Sequence, residues 1–157
     1  MKIRFSTIIV DAADKYLESW SVSKRNELMI GNQKYIELLI ETYRGDETCR
    51  VVSHLSREKN SYDFCSQIKL KGKTRGALAT ATIGAAQDTT SNHLPLIICP
   101  GDSLIPRRDF LKFVQNMVKN NCDAGVVAFK SDSAQYSYIR RDAENNIIEI
   151  AEKRIIG

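Results

Sequence analysis

Two histidines, three prolines and one tryptophan are spread through 157 residues, and no apolar run approaches the roughly 20 residues that a bilayer-spanning helix needs. The N-terminus also lacks the apolar core and small-residue cleavage site of a secretory signal. The expectation is a cytoplasmic protein with no membrane partner. The four cysteines, Cys49, Cys65, Cys99 and Cys122, show no C-x-x-C spacing. That speaks against a zinc site or a disulfide framework and leaves buried free thiols. Neither His54 nor His93 has a serine or cysteine motif beside it, so no nucleophile constellation is signalled, and each reads as a surface or strand-end residue. With no repeat and no low-complexity linker, residues 1–157 form one expected domain.

The composition, 43% hydrophobic and 27% charged, is that of a globular chain able to bury a core. A net charge of +4 suits phosphorylated small molecules as well as nucleic acid. Lys69, Lys71, Lys73 and Arg75 alternate and would share one face of an extended segment. That stripe either attracts a triphosphate or forms a solvated strand face. It lacks the aromatic interleaving of a nucleic-acid surface, so no nucleic-acid partner is expected.

The most informative stretch is residues 93–107, HLPLIICPGDSLIPR. Its apolar part lacks polar alternation, as expected of a strand covered on both faces. Pro100-Gly101 then ends the run and leaves Asp102 at the carboxyl end of the strand, where open α/β sheets place their ligands. There a carboxylate is placed to hold Mg2+, which takes one or two protein carboxylates and fills its other positions with water and phosphate oxygens. The alternative is a turn cap, since Gly-Asp-Ser is ordinary loop chemistry.

Strands are expected over residues 4–10, 50–55, 63–70, 94–99, 123–130, 136–141 and 147–151, from β-branched content and apolar runs. Tyr35, Ile36, Leu39, Ile40 and Tyr43 recur at helical spacing, which predicts a helix over 33–44 after the Gly31-Asn32 punctuation. A short helical turn is expected over 14–20. Thr74 is the expected N-cap of an Ala-rich helix reaching Gln87, with Gly76 in its first turn. A third helix is expected over 108–120 after Pro106, and a hairpin-like turn over 142–146. The order predicts an α/β fold with three layers, α/β/α, around a mostly parallel sheet.

Several pieces, in order, resemble the sugar-phosphate nucleotidyltransferases, or nucleoside-diphospho-sugar pyrophosphorylases. Thr74-Arg75-Gly76-Ala77-Leu78-Ala79-Thr80-Ala81 resembles the segment whose glycine lies against the nucleobase. Pro100-Gly101-Asp102-Ser103 is similar to the element whose aspartate binds magnesium. Tyr136-Ser137-Tyr138-Ile139 resembles the strand beside the sugar, and Glu152-Lys153 the pair that meets sugar hydroxyls and phosphate. Residues 30–37, IGNQKYIE, are similar to the opening of the family's first long helix. The resemblance spans about residues 28–155 and implies a Rossmann-like, GT-A-like nucleotide-diphospho-sugar transferase fold, incomplete at the C-terminus.

The resemblance further implies attack by a sugar phosphate, or a similar phosphorylated acceptor, on the α-phosphorus of a nucleoside triphosphate. Alignment and charge neutralisation carry such chemistry. Asp102 would hold the metal, Gly76 and Arg75 the nucleotide, and Lys153 and Arg25 the phosphates. Glu152, with Lys153 and Tyr138, would take the sugar phosphate. The setting implied is nucleotide-sugar or surface-polysaccharide biosynthesis, by a homo-oligomer or by part of a larger parent chain. Bland roles stand beside these: helix–sheet packing for Gly76, a solvated strand end for Glu152-Lys153, and half-buried sheet positions for Tyr136 and Tyr138.

The sequence also departs from the family. Where a glycine-rich loop should wrap the triphosphate it has Asp11-Ala12-Ala13-Asp14, whose carboxylates repel phosphate. Arg25, in Ser23-Lys24-Arg25-Asn26, stands where the family's Pro-Lys element has lysine, and presents a fork in place of a point charge. The family's second magnesium aspartate comes from a later strand than any before Gly157. The alternative expectation is therefore a non-catalytic subunit or binding module that keeps the fold.

Overall fold

A computed structural model describes residues 3–11, 28–45, 48–53, 65–70, 74–87, 94–133 and 136–152. Contacts divide the chain into two compact units, Met1–Gln115 and Asn116–Gly157. The first is an α/β unit whose four parallel strands are β1 (Ser6–Asp11), β4 (Cys49–Ser53), β5 (Ser66–Lys69) and β6 (Leu96–Pro100), in the order β5-β4-β1-β6. A two-rung antiparallel pair, β2 (Met29–Ile30) and β3 (Gln33–Lys34), turns through Gly31-Asn32 into helix α1 (Tyr35–Tyr43).

The run STIIVD makes the central strand because it can be buried on both sides. Phe5, Thr7 and Ile9 face one way and Ile8 and Val10 the other, all buried. On the first face Ile9, Val51 and Cys99 meet α1 and α3 (Arg107–Lys119), which bring Ile36, Leu39, Phe110 and Val114. Phe110 stands edge-on to Phe5 (5.8 Å) and to Tyr43 (5.1 Å), the aromatic geometry that a ring quadrupole favours. All five apolar positions predicted for α1 are its buried positions. At its N-terminus, Lys34 donates its backbone N–H to the Glu37 carboxylate at 3.0 Å, half of a capping box.

On the opposite face α2 (Ala77–Ala86) packs through small residues. Ala81 is buried against Ile8, Val10, Val52 and Ile68. A Cβ on Gly84 would fall 2.8 Å from Val52 Cγ2 and 3.0 Å from Ile8 Cγ2. Only glycine allows the helix this close.

Three expectations need correction. First, β6 is the sheet's outer strand among the described residues, and Leu96 and Ile98 are 47% and 50% exposed. An apolar run therefore does not show whether both faces are covered. Second, no strand forms over 123–130: the segment is irregular, and Val126, Val127 and Phe129 are exposed. β-propensity yields a strand only with a ladder partner, and among the described residues this segment has none. Third, Thr74 does not cap α2. Gly76 is the N-cap, while the Thr74 hydroxyl lies 2.6 Å from Thr80 Oγ1 and 3.3 Å from the Gly76 carbonyl.

In the second unit, β7 (Tyr138–Arg141) and β8 (Ile147–Ala151) form an antiparallel hairpin. Its turn is set as expected by Asp142, whose carboxylate accepts the Asn146 backbone N–H at 2.7 Å and side-chain amide at 3.0 Å. Arg140 and Glu149 pair across the strands at 2.6 Å. The expected turn over 14–20 lies outside the described residues. Among the described residues no helix is long and apolar enough to cross a membrane.

Candidate functional site at the carboxyl edge of the sheet

Parallel strands put all their carboxyl ends on one edge. The chain leaves β1 for β4 on one side and later adds β6 on the other. Strand order therefore reverses between β1 and β6, and the carboxyl edge at such a switch point is where open α/β sheets bind ligands.

Asp102 stands at that point for a local reason. Val10 is opposite Pro100, and the buried Gly101 donates its N–H to the Val10 carbonyl at 2.7 Å, extending the ladder past the last rung. Asp102 follows immediately, exposed, with one long contact from the Ser103 hydroxyl at 3.4 Å. Asp11, the last residue of β1, ends on the same edge.

The loop carrying Asp102 is pinned from beneath. The Tyr43 hydroxyl donates to the Ser103 carbonyl at 2.7 Å and accepts a backbone hydrogen bond from Ile105. Burial first, then the neighbouring Cys99, pushes the Tyr43 phenol up to about 12, with the Asp102 carboxylate adding in the same direction. The proton thus stays on Tyr43 and the bond to the loop persists. Just beyond, Arg107 Nη1 donates to the carbonyls of Glu41 (2.7 Å), Thr42 (2.9 Å) and Arg44 (3.3 Å). Helix α1 has no basic residue in its own last turn, so Arg107 supplies the cation that its C-terminal dipole favours.

Because α2 follows β5, its N-terminus opens on the same edge. The helix begins with the bond from the Thr80 N–H to the Gly76 carbonyl at 3.1 Å, so the N–H groups of residues 77–79 have no intrahelical acceptor. Gly76 sits at φ 123°, and a Cβ there would have nothing within 4 Å. Backbone conformation and open space, not helix–sheet packing, account for this glycine. The packing role belongs to Gly84. Arg75 is exposed beside it, and Leu78 in the first turn is 76% exposed. Lys69, at the end of β5, is exposed as well, while Lys71 and Lys73 lie outside the described residues.

Thus Asp102, Gly76 and Arg75 share one edge of the first unit. Glu152 and Tyr138 belong to the hairpin unit. There the Ser137 hydroxyl donates to the Glu152 carboxylate, and the Tyr138 hydroxyl donates to the carbonyls of Ser131 and Ser133. Tyr138 therefore fastens its own loop with the group expected beside a sugar. Lys153 and Arg25 lie outside the described residues.

Sequence reasoning missed Tyr43 and Arg107, the residues that hold the Asp102 loop and the helix beside it. Their only local signals were a tyrosine ending an apolar stripe and an arginine after Pro106. Among the described residues no three carboxylate, imidazole or thiol groups cluster as a metal cage. No protein-family model matches the sequence, and no curated protein matches it either.

Proposed function

We propose that this edge binds a nucleoside triphosphate with magnesium, and that the protein is nucleotidyltransferase-like, with a GT-A-like fold. Its reaction would pass a nucleoside monophosphate to a sugar phosphate or similar acceptor, in nucleotide-sugar or surface-polysaccharide synthesis in the cytoplasm. The observation that carries the proposal is the exposed Asp102 at the β1–β6 switch point, with the open N-terminus of α2 on the same edge.

A single carboxylate fits magnesium, which keeps several waters and takes its remaining ligands from substrate phosphates. The ion would neutralise charge on the phosphates during in-line displacement. The N–H groups of residues 77–79 would donate hydrogen bonds to base or phosphate oxygens, Leu78 would give the base an apolar surface, and Arg75 would add charge. A second reading, a binding module without catalysis, is favoured by Asp11-Ala12-Ala13-Asp14, where a triphosphate loop needs glycine.

Thermal unfolding with nucleoside triphosphates, with and without magnesium, tests the site. A ligand at about 100 times its Kd adds about 2.7 kcal/mol, or about 5–10 °C at this chain length. The shift should require magnesium and vanish in Asp102→Ala. An equal shift in that variant would remove Asp102 from the site. Release of pyrophosphate with sugar phosphates then separates enzyme from binder.

A further inference from the structure

Three of the four cysteines lie in or beside the sheet, on the face covered by α1 and α3. Two of them are neighbours. The β4–β5 ladder begins with Arg50 opposite Ser66, so Cys49 and Cys65 each immediately precede that first rung on neighbouring parallel segments. Both cysteines pack in the cluster on one face of the sheet, and paired strands lie about 4.8 Å apart. That lies inside the Cα separation of about 4.4–6.8 Å that a disulfide spans. Cys49 is buried in the main cluster and Cys65 is half-buried at the outer strand packed against it. Their side chains hydrogen-bond to each other.

We propose that Cys49 and Cys65 form a peroxide-oxidisable dithiol, closing to an intramolecular disulfide across β4 and β5. The inference is independent of the nucleotide site. The two sulfurs have different roles. The hydrogen bond from Cys49, aided by the Val51 backbone and the Arg50 charge, pulls the Cys65 thiol down from its ordinary value. Cys49 is held up by that same bond and by burial. Cys65 is therefore the nucleophile and Cys49 the resolving thiol.

The Cys65 thiolate attacks one oxygen of hydrogen peroxide or an alkyl hydroperoxide. The O–O bond breaks, Cys65 becomes a sulfenic acid, and the departing hydroxide or alkoxide takes up the thiol's proton as water or alcohol. The Cys49 sulfur then attacks the Cys65 sulfur, the S–O bond breaks, and hydroxide leaves with the Cys49 proton as water. With hydrogen peroxide, two thiols and one peroxide give one disulfide and two waters. Cys99 cannot compete, because burial pushes its thiol up to about 12. The exposed Cys122 lies in the other unit.

The test is one equivalent of hydrogen peroxide on the whole chain in a Cys122→Ser background, which prevents links between molecules. Intact mass should fall by about 2 Da, reversibly with dithiothreitol, and peptide mapping should join Cys49 to Cys65. Cys65→Ser should abolish the link. Cys49→Ser should leave a sulfenic acid at Cys65 that a dimedone probe labels. The protein without either of these two substitutions carries the test even if one of them fails to fold. A sulfinic acid at Cys65 without the link, or first oxidation at Cys99, would overturn the proposal.

Discussion

Replacing Gly84 with alanine sets two effects of known sign against each other. Alanine gains about 0.8–1 kcal/mol over glycine inside a helix. Against this, its Cβ would meet Val52 Cγ2 at 2.8 Å and Ile8 Cγ2 at 3.0 Å. Both residues are 0% exposed, and β-branched side chains have little choice of χ1. Overpacking of this kind costs about 1–3 kcal/mol. The net loss is about 1 kcal/mol, lowering Tm by about 2–4 °C. Gly84→Val keeps the clash, adds two methyls and forfeits the helix gain, for a loss of about 3 kcal/mol. Thr82, exposed on the same helix and bonded to the Leu78 carbonyl at 3.0 Å, supplies the control. Thr82→Ala should change stability by less than about 0.5 kcal/mol. Urea unfolding of the three variants measures the series. Since α2 carries Gly76, Gly84→Val should also weaken nucleotide binding. If Gly84→Val is as stable as the native protein, α2 does not lie on Ile8 and Val52, and the edge described above is not built this way.

Two further outcomes probe the supports of the Asp102 loop. Arg107→Leu should cost about 1–2 kcal/mol in urea unfolding, because two α1 carbonyls and that of its C-cap Arg44 lose a cation partner at a solvent-exposed helix end. Arg107→Lys should recover part of it, and equal stability of all three proteins would contradict the capping role. The Tyr43 phenol, raised from 10.0 to about 12, holds its proton longer in the folded state than in the unfolded chain. Its contribution is therefore complete below pH 10 and lost as pH rises through about 12. Ultraviolet titration of the native protein should show one tyrosine ionising about two units late, and Tyr43→Phe should remove it.

The elements that sequence made legible are those whose signal is local. Helix α1 announced all its buried residues because a 3.6-residue period needs no knowledge of the partner. The Asp142 turn was readable because side chain and backbone four residues apart complete it. The outer place of β6 and the irregular course of 123–130 were not readable, since both depend on which ladder partner is present. The place of Asp102 just past β6 was readable, because Pro100-Gly101 marks where the strand must stop. Tyr43 and Arg107 were not, because their acceptors lie 60 or more residues away in the chain. Gly76, expected in the first turn of α2, is its N-cap, and the packing role offered as its alternative belongs to Gly84, eight positions later.

Amide NMR titration with a magnesium–nucleoside triphosphate asks where the ligand sits without assuming catalysis. The account predicts that the largest shifts fall together at residues 76–79 and 101–103, and that they collapse in Asp102→Ala. Shifts confined to the β7–β8 hairpin, or absent at saturating ligand, would contradict a site at the β1–β6 switch point.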